Sequence, residues 1–215
     1  MPTLLLAGAG PRLGGAIARR FARDGYDVAL LSEHEGSVTA LGEALQAEGI
    51  TTGWAVADVG DSEALRAAVT RFGEHTGSVD VLVHNVSVWR EASTLDLSPC
   101  DLLADVHAGA ASLLTSARAA VPFMPSGGAV IATGSAAADF PSPGAPTLGV
   151  QKAALRALVQ AMAPDYAERG IHCATVTING VLGTPGFEPE RIADVYADVA
   201  AEPRDSWRTV IPFPL

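Results

Sequence analysis

The sequence predicts a three-layer, doubly wound α/β fold built around a mostly parallel, seven-stranded sheet. Three observations carry that expectation. Short apolar runs alternate with helical stretches along the chain, and such alternation builds parallel sheets through right-handed crossovers, with helices on both faces. The first apolar run, Leu4-Leu5-Leu6-Ala7, is bounded at once by glycines and reads as a buried strand. That run then feeds a helix through a glycine-rich turn, Gly8-Ala9-Gly10-Pro11-Arg12-Leu13-Gly14.

Each element follows from its own pattern. In the first helix Leu13, Ile17 and Phe21 share a face, with Arg19, Arg20 and Arg23 elsewhere. Gly25-Tyr26 leads into a strand over 27–31, and helical spacing over 38–48 (Leu41, Leu45) is stopped by Gly49. A strand over 51–56 ends at Ala57-Asp58-Val59. A helix over 62–75 follows, with Ser62 as its N-cap and Leu65, Val69 and Phe72 facing the core. A strand over 79–83 opens a loop from His84 to about Ser98, followed by one long Ala- and Leu-rich helix over 99–121. A fifth strand over 128–132, a loop from Ala136 to Pro146, a second long helix over 148–169 and a sixth strand over 171–178 come next. The tail carries a short amphipathic helix (Ile192, Val195, Val199) and an edge-like strand over 207–213. No internal repeat or linker interrupts this order, so residues 1–215 are expected to form a single domain.

Composition narrows the function classes. A chain of 215 residues can bury one substantial core, and 48% apolar against 18% charged residues argues against disorder. No apolar run reaches transmembrane length, and the first residues lack the basic start of a signal peptide. Cys100 and Cys173 make neither a metal spacing nor a disulfide framework, so no metal is expected and both read as packing residues of a reduced, cytoplasmic protein. The formal charge of −10, with no basic stripe, disfavours nucleic acid as a partner.

The ligand of such a sheet sits at the carboxyl ends of its strands. The turns there are Gly8 to Gly14, Ser32 to His34, Asp58-Val59, His84 to Ser87, Gly134 to Ala136 and Asn179 to Thr184. In the first, Gly8 and Gly10 permit positive φ and close approach of a phosphate to the free N–H groups of a helix start, while Gly14 permits tight helix–sheet packing. The spacing Gly8-x-Gly10-x-x-x-Gly14 is one residue longer than the dinucleotide fingerprint, and a purely structural turn has the same look.

Read together, these turns resemble the short-chain dehydrogenase/reductase family over almost the whole chain. Gly8 to Gly14 looks like its glycine motif, and Asp58-Val59 like the dipeptide that contacts the adenine. Val81-Leu82-Val83-His84-Asn85-Val86-Ser87 resembles its Val-Leu-Val-Asn-Asn-Ala-Gly stretch. Ser135 falls at the catalytic serine, Lys152 at the catalytic lysine, and Asn179-Gly180 at the Pro-Gly after the sixth strand. The resemblance implies a Rossmann-like fold and a bound NADP or NAD. The implied cofactor-binding residues are Gly8, Gly10, Pro11, Arg12, Leu13, Gly14, Ser32, Glu33, Asp58, Val59, Asn85, Lys152, Val181 and Thr184. It further implies a small-molecule substrate and a homo-oligomer, dimer or tetramer, built on the two long helices.

The departures from the family concern its chemistry. The family's catalytic tyrosine lies four residues before the lysine, on the same helix face. Here that position is Leu148, and the interval from Ser135 shows that the alignment has not slipped. The helix asparagine of the catalytic set corresponds to His107, the first Asn of the fourth-strand motif to His84, and the middle glycine of the first motif to Arg12.

Each residue has two readings. In the family the lysine holds the nicotinamide ribose; Lys152 does this or is a solvated helix lysine. Ser135 hydrogen-bonds a substrate oxygen or caps its turn. His107 is a proton donor, since histidine titrates near neutral pH, or a packed helix histidine; His84 reads as structural. Tyr166 lies roughly 27 Å along the helix from Leu148, at about 1.5 Å per residue. Tyr26 belongs to the wrong end of the sheet, which leaves Tyr196 as the only tyrosine open to substitution for the missing one. Arg12 argues for a cofactor with an adenine-ribose phosphate and Glu33 argues against one; Arg12, being in the loop itself, tips the expectation towards NADP. Two functions follow: an atypical NAD(P)-dependent oxidoreductase of a small carbonyl or alcohol using Ser135, Lys152 and His107, or a dinucleotide-fold protein without redox activity, such as a sensor, a binding partner or a non-redox isomerase or cyclase.

Overall fold

The computed structural model describes residues 1–214. Seven strands form one sheet in the order β3-β2-β1-β4-β5-β6-β7. They are β1 (Thr3–Ala7), β2 (Asp27–Ser32), β3 (Thr52–Val56), β4 (Val81–His84), β5 (Ala129–Ser135), β6 (His172–Ile178) and β7 (Val210–Phe213). Every pairing is parallel, so the expected sheet is present and its edge strand β7 runs parallel as well.

The pleat of β1 divides the core. Leu4 and Leu6 point to one face, where they meet α1 (Leu13–Arg23), α2 (Glu35–Ala47) and α7 (Pro189–Ala200). Leu5 and Ala7 point to the other, against α3 (Ser62–Thr76), α5 (Ser112–Ala120) and α6 (Pro146–Glu168). Both faces of the central strands are therefore buried, which is why these segments read as unbroken apolar runs rather than alternating ones. The chain winds outward from β1 to β3 and then returns to β4 on the other side of β1. That reversal opens a crevice at the carboxyl ends of β1 and β4.

Three expectations change. The helix expected over 99–121 is α4 (Pro99–Val106), a π-turn over His107–Ala111, then α5 and a 3-10 turn over Val121–Phe123. The N-cap of α3 is Asp61, not Ser62: the Asp61 carboxylate accepts from the N–H groups of Glu63 and Ala64, both at 3.0 Å. Of the two expected packing cysteines, Cys173 is buried and its thiol is pushed up to about 12 by burial, whereas Cys100 is exposed at the start of α4. Among the described residues no helix is long and apolar enough to cross a membrane, and no cluster of His, Cys, Asp or Glu is placed to hold a metal.

Candidate cofactor and substrate cleft

A cavity of about 400 Å³ opens over the carboxyl ends of β1, β4, β5 and β6. Its floor is Asn85, Ser87, Thr133, Gly134 and Ser135, and one wall is the glycine turn with the start of α1 (Gly10 to Gly14). Leu148 and Lys152 enter from α6, Ile178, Gly180 and Leu182 from β6 and the loop after it. A second cavity of about 190 Å³, lined by Gly8, Ala9, Ser32, Glu33, His34, Val59 and Val86, shares Asn85 and Ser87 with the first, so the two form one furrow across the sheet edge.

The glycine turn is shaped by contact. Gly8 has φ +82°, and a Cβ there would stand 2.4 Å from the Asn85 carbonyl oxygen, so only glycine fits. A Cβ at Gly10 would meet nothing within 4 Å, which leaves room at the mouth of the furrow. No side chain caps the start of α1 and no acidic residue lies in its first turn. The first N–H groups of a helix lack intrahelical partners, so this end attracts an anion.

Lys152 is the most constrained charged group. Its side chain is 3% exposed, and its ammonium donates to the carbonyls of Val86 (2.9 Å) and Thr133 (2.8 Å). The solvated reading is therefore excluded by geometry. Burial lowers its pKa to about 8. Leu148, one helical turn before it, lines the same cavity with an apolar side chain. Ser135 caps its turn, Oγ accepting from the Ala137 N–H (3.1 Å), and the residue also lines the cavity.

The remaining residues divide. Ser32, Glu33 and Val59 line the second cavity. Asp58 lies outside both, its carboxylate accepting from the Gly60 N–H (2.7 Å). Val181 and Thr184 also lie outside, the Thr184 hydroxyl donating to the Val181 carbonyl (2.8 Å), while their neighbour Leu182 reaches in. Arg12 lines the first cavity rather than the second and donates to the Leu182 carbonyl. Ser32, Glu33 and His34 line the second cavity, and Arg12 is not among the residues that line it.

His107 sits in the π-turn with Nε2 3.4 Å from the Ser62 hydroxyl, outside the residues that line the cavity. His84 is fully buried with Nε2 3.4 Å from Ser112 Oγ; burial, and then the charge of Lys152, push its pKa down to about 3, so the ring is neutral. Tyr196, the one tyrosine left open, is fully buried beneath β5 and does not reach the cavity. Its hydroxyl lies 2.7 Å from Thr133 Oγ1, and burial raises its pKa.

Two side chains of the site gave no signal in the sequence. Gln151 holds the loop after β4 on both sides of Val88, accepting from its N–H (3.0 Å) and donating to its carbonyl (2.9 Å). Thr133 binds Asn85 through its hydroxyl (2.9 Å) while its carbonyl holds Lys152.

Comparison with known proteins agrees with this architecture. Residues 8–202 match the family model described as Enoyl-(Acyl carrier protein) reductase. The chain is 31% identical over 189 residues to Oxidoreductase UcpA of Escherichia coli (strain K12), covering 86% of this chain and 71% of that protein. It is 30% identical over 207 residues to a 3beta-hydroxysteroid dehydrogenase of Mediterraneibacter gnavus, covering 94% of this chain and 74% of that protein. A solved short chain dehydrogenase from Burkholderia cenocepacia, in complex with NADP, matches with a TM-score of 0.86 and 28% identity over 98% of this chain and 95% of that one. The chain belongs to the short-chain dehydrogenase/reductase family. The fold is that of the class.

Proposed function

We propose that this protein is an atypical NAD(P)-dependent oxidoreductase of a small carbonyl or alcohol substrate, with residues 1–215 acting as one dinucleotide-binding domain. The observation that carries the reading is Lys152, a buried cation fixed on two backbone carbonyls in a cavity whose floor is polar (Asn85, Ser87, Thr133, Ser135) and whose walls include the glycine turn and Leu148. The furrow fits a dinucleotide. The uncapped start of α1 and the open space at Gly10 suit a pyrophosphate, and the second cavity, with Val59 and the Ser32–His34 turn, suits an adenosine. When bound, the nicotinamide supplies or accepts a hydride.

The residues of the chain then have definite tasks. An ammonium carries three donors, and two of those of Lys152 are engaged by Val86 and Thr133. The third is left for a ribose hydroxyl or a substrate oxygen in the cavity. Ser135 offers its hydroxyl proton to that oxygen. Leu148, which takes the place of the family's tyrosine in this reading, moves no proton; it excludes water and makes the wall apolar. His107, at the position of the family's helix asparagine, faces Ser62, so proton supply falls to Lys152 or to water rather than to the imidazole.

The test is calorimetric titration with NADP and NAD, followed by assay of simple ketones with the reduced form that binds. Binding with slow ketone reduction supports the reading. Rapid reduction unaffected by Lys152→Met would misplace the chemistry. A failure of both dinucleotides to bind at millimolar concentration would remove it.

A further inference from the structure

A line of side-chain hydrogen bonds runs from the core under β5 to the glycine turn, and its polarity can be deduced from one end. The Gly8 carbonyl can only accept, so the Asn85 atom facing it at 3.1 Å is the amide nitrogen. The Asn85 oxygen then faces Thr133 Oγ1 at 2.9 Å, and that hydroxyl must be the donor. A hydroxyl has one proton, so the 2.7 Å bond between Thr133 Oγ1 and Tyr196 is donated by the phenol. Tyr196 → Thr133 → Asn85 → Gly8 is therefore a chain with a single sense, beginning in α7 and ending on the turn that faces the furrow.

We infer that Tyr196 and Thr133 are positioning residues for dinucleotide binding, which act by locking the Asn85 amide in the one orientation that holds the Gly8 carbonyl. The inference rests on the dinucleotide reading given above. Gly8 is the turn's most confined point, with positive φ, no room for a Cβ beside the Asn85 backbone, and its N–H donated to the Leu31 carbonyl (3.0 Å). An amide free to flip would set its oxygen against the Gly8 carbonyl, and two acceptors facing each other would push the turn away from its cradle shape. Thr133 ties the same device to Lys152, because its carbonyl accepts from the ammonium while its side chain serves Asn85. Tyr196 touches neither cavity, so any effect it has on binding is transmitted.

Thr133→Val removes the donor at nearly constant shape, Thr133→Ser keeps it, and Tyr196→Phe removes the head of the chain. The readouts are the Kd of NADP or NADPH by calorimetry, the melting temperature, and the side-chain amide signal of Asn85 by ¹⁵N NMR in cofactor-free protein. Loss of an ordered hydrogen bond at the loop is expected to weaken binding about tenfold in Thr133→Val and severalfold in Tyr196→Phe, with Thr133→Ser close to wild type. The Asn85 amide proton held on the Gly8 carbonyl is expected to exchange slowly in the wild type and freely in Thr133→Val. A lower melting temperature with unchanged Kd in both Thr133→Val and Tyr196→Phe would make the chain merely structural and overturn the inference alone. An Asn85 signal unaltered by Thr133→Val would overturn it whatever the affinities. A wild type that binds no dinucleotide overturns the underlying reading, and this inference with it.

Discussion

Arg12 and Leu182 are joined across the rim of the cleft: the guanidinium at the start of α1 donates to a carbonyl in the loop after β6. Among the described residues no carboxylate lines that cavity, so Arg12 and Lys152 give it a local positive charge in a chain of net charge −10. Arg12→Gly removes both the clasp and the charge. Dinucleotide affinity should fall about tenfold, and its salt dependence should weaken, in titrations at several ionic strengths.

Leu148→Tyr places a phenol one helical turn from a buried ammonium that depresses its pKa. Gain of a general acid is worth about 10²–10⁴-fold in rate. Turnover of simple ketones by this variant should rise towards that range, measured as oxidation of the reduced cofactor. No gain would mean that the substrate oxygen does not sit over Leu148.

Lys152 gives opposite pH signatures for binding and for stability. Its pKa is lowered by burial from 10.5 to about 8. As pH rises through about 8 the third donor is lost, so cofactor affinity and turnover should decline. Between about 8 and 10.5 the unfolded chain binds a proton that the folded one does not, so this group's contribution to stability rises with pH. Lys152→Met should flatten both profiles, read by titration calorimetry and by denaturant unfolding across the same pH range.

Glu33 projects beside the second cavity, where an adenine-ribose phosphate would meet its charge. Glu33→Gln should shift the ratio of NAD to NADP affinity towards NADP, in parallel titrations of both cofactors. An unchanged ratio would place the ribose elsewhere.

The outward faces of α4, α5 and α6 leave Leu103, Leu114 and Val150 exposed. Light scattering at micromolar concentration should give a multiple of 22.0 kDa. Leu103→Glu should shift it towards the monomer; a monomeric wild type would refute the oligomer.

The parts of this molecule legible in its sequence are those written locally. Leu4 to Ala7 followed by Gly8 to Gly14 announces strand, turn and helix because periodicity and glycine placement act over a few residues. Ser135 and Lys152 were legible as a pair through the intervals that separate the motifs. The cap of α3 is not legible, because Asp61 and Ser62 are adjacent and either can cap; the extended backbone of Asp61 and its bonds to Glu63 and Ala64 decide. The burial of Lys152 is not legible, since its carbonyl partners come from elsewhere in the chain, Val86 from the loop after β4 and Thr133 from β5. Tyr196, Thr133 and Asn85 likewise meet only after three separate elements have packed.

The π-turn over His107–Ala111 makes the α4–α5 rod two gears cut to different phases. The wider turn rotates everything after it relative to everything before it, so the two halves need not present a common stripe. Asp105, before the turn, grips Arg90 with two 2.8 Å bonds and anchors the loop beyond β4. Leu113, Ala117 and Ala120, after it, mesh with the core. Between them Gly109 lies so near Gln151 that a Cβ would stand 2.1 Å from its amide oxygen. A single-residue deletion here would restore an ordinary helix and force the rod to choose: keep the core engaged and swing Asp105 off Arg90, or keep the grip and unseat the core.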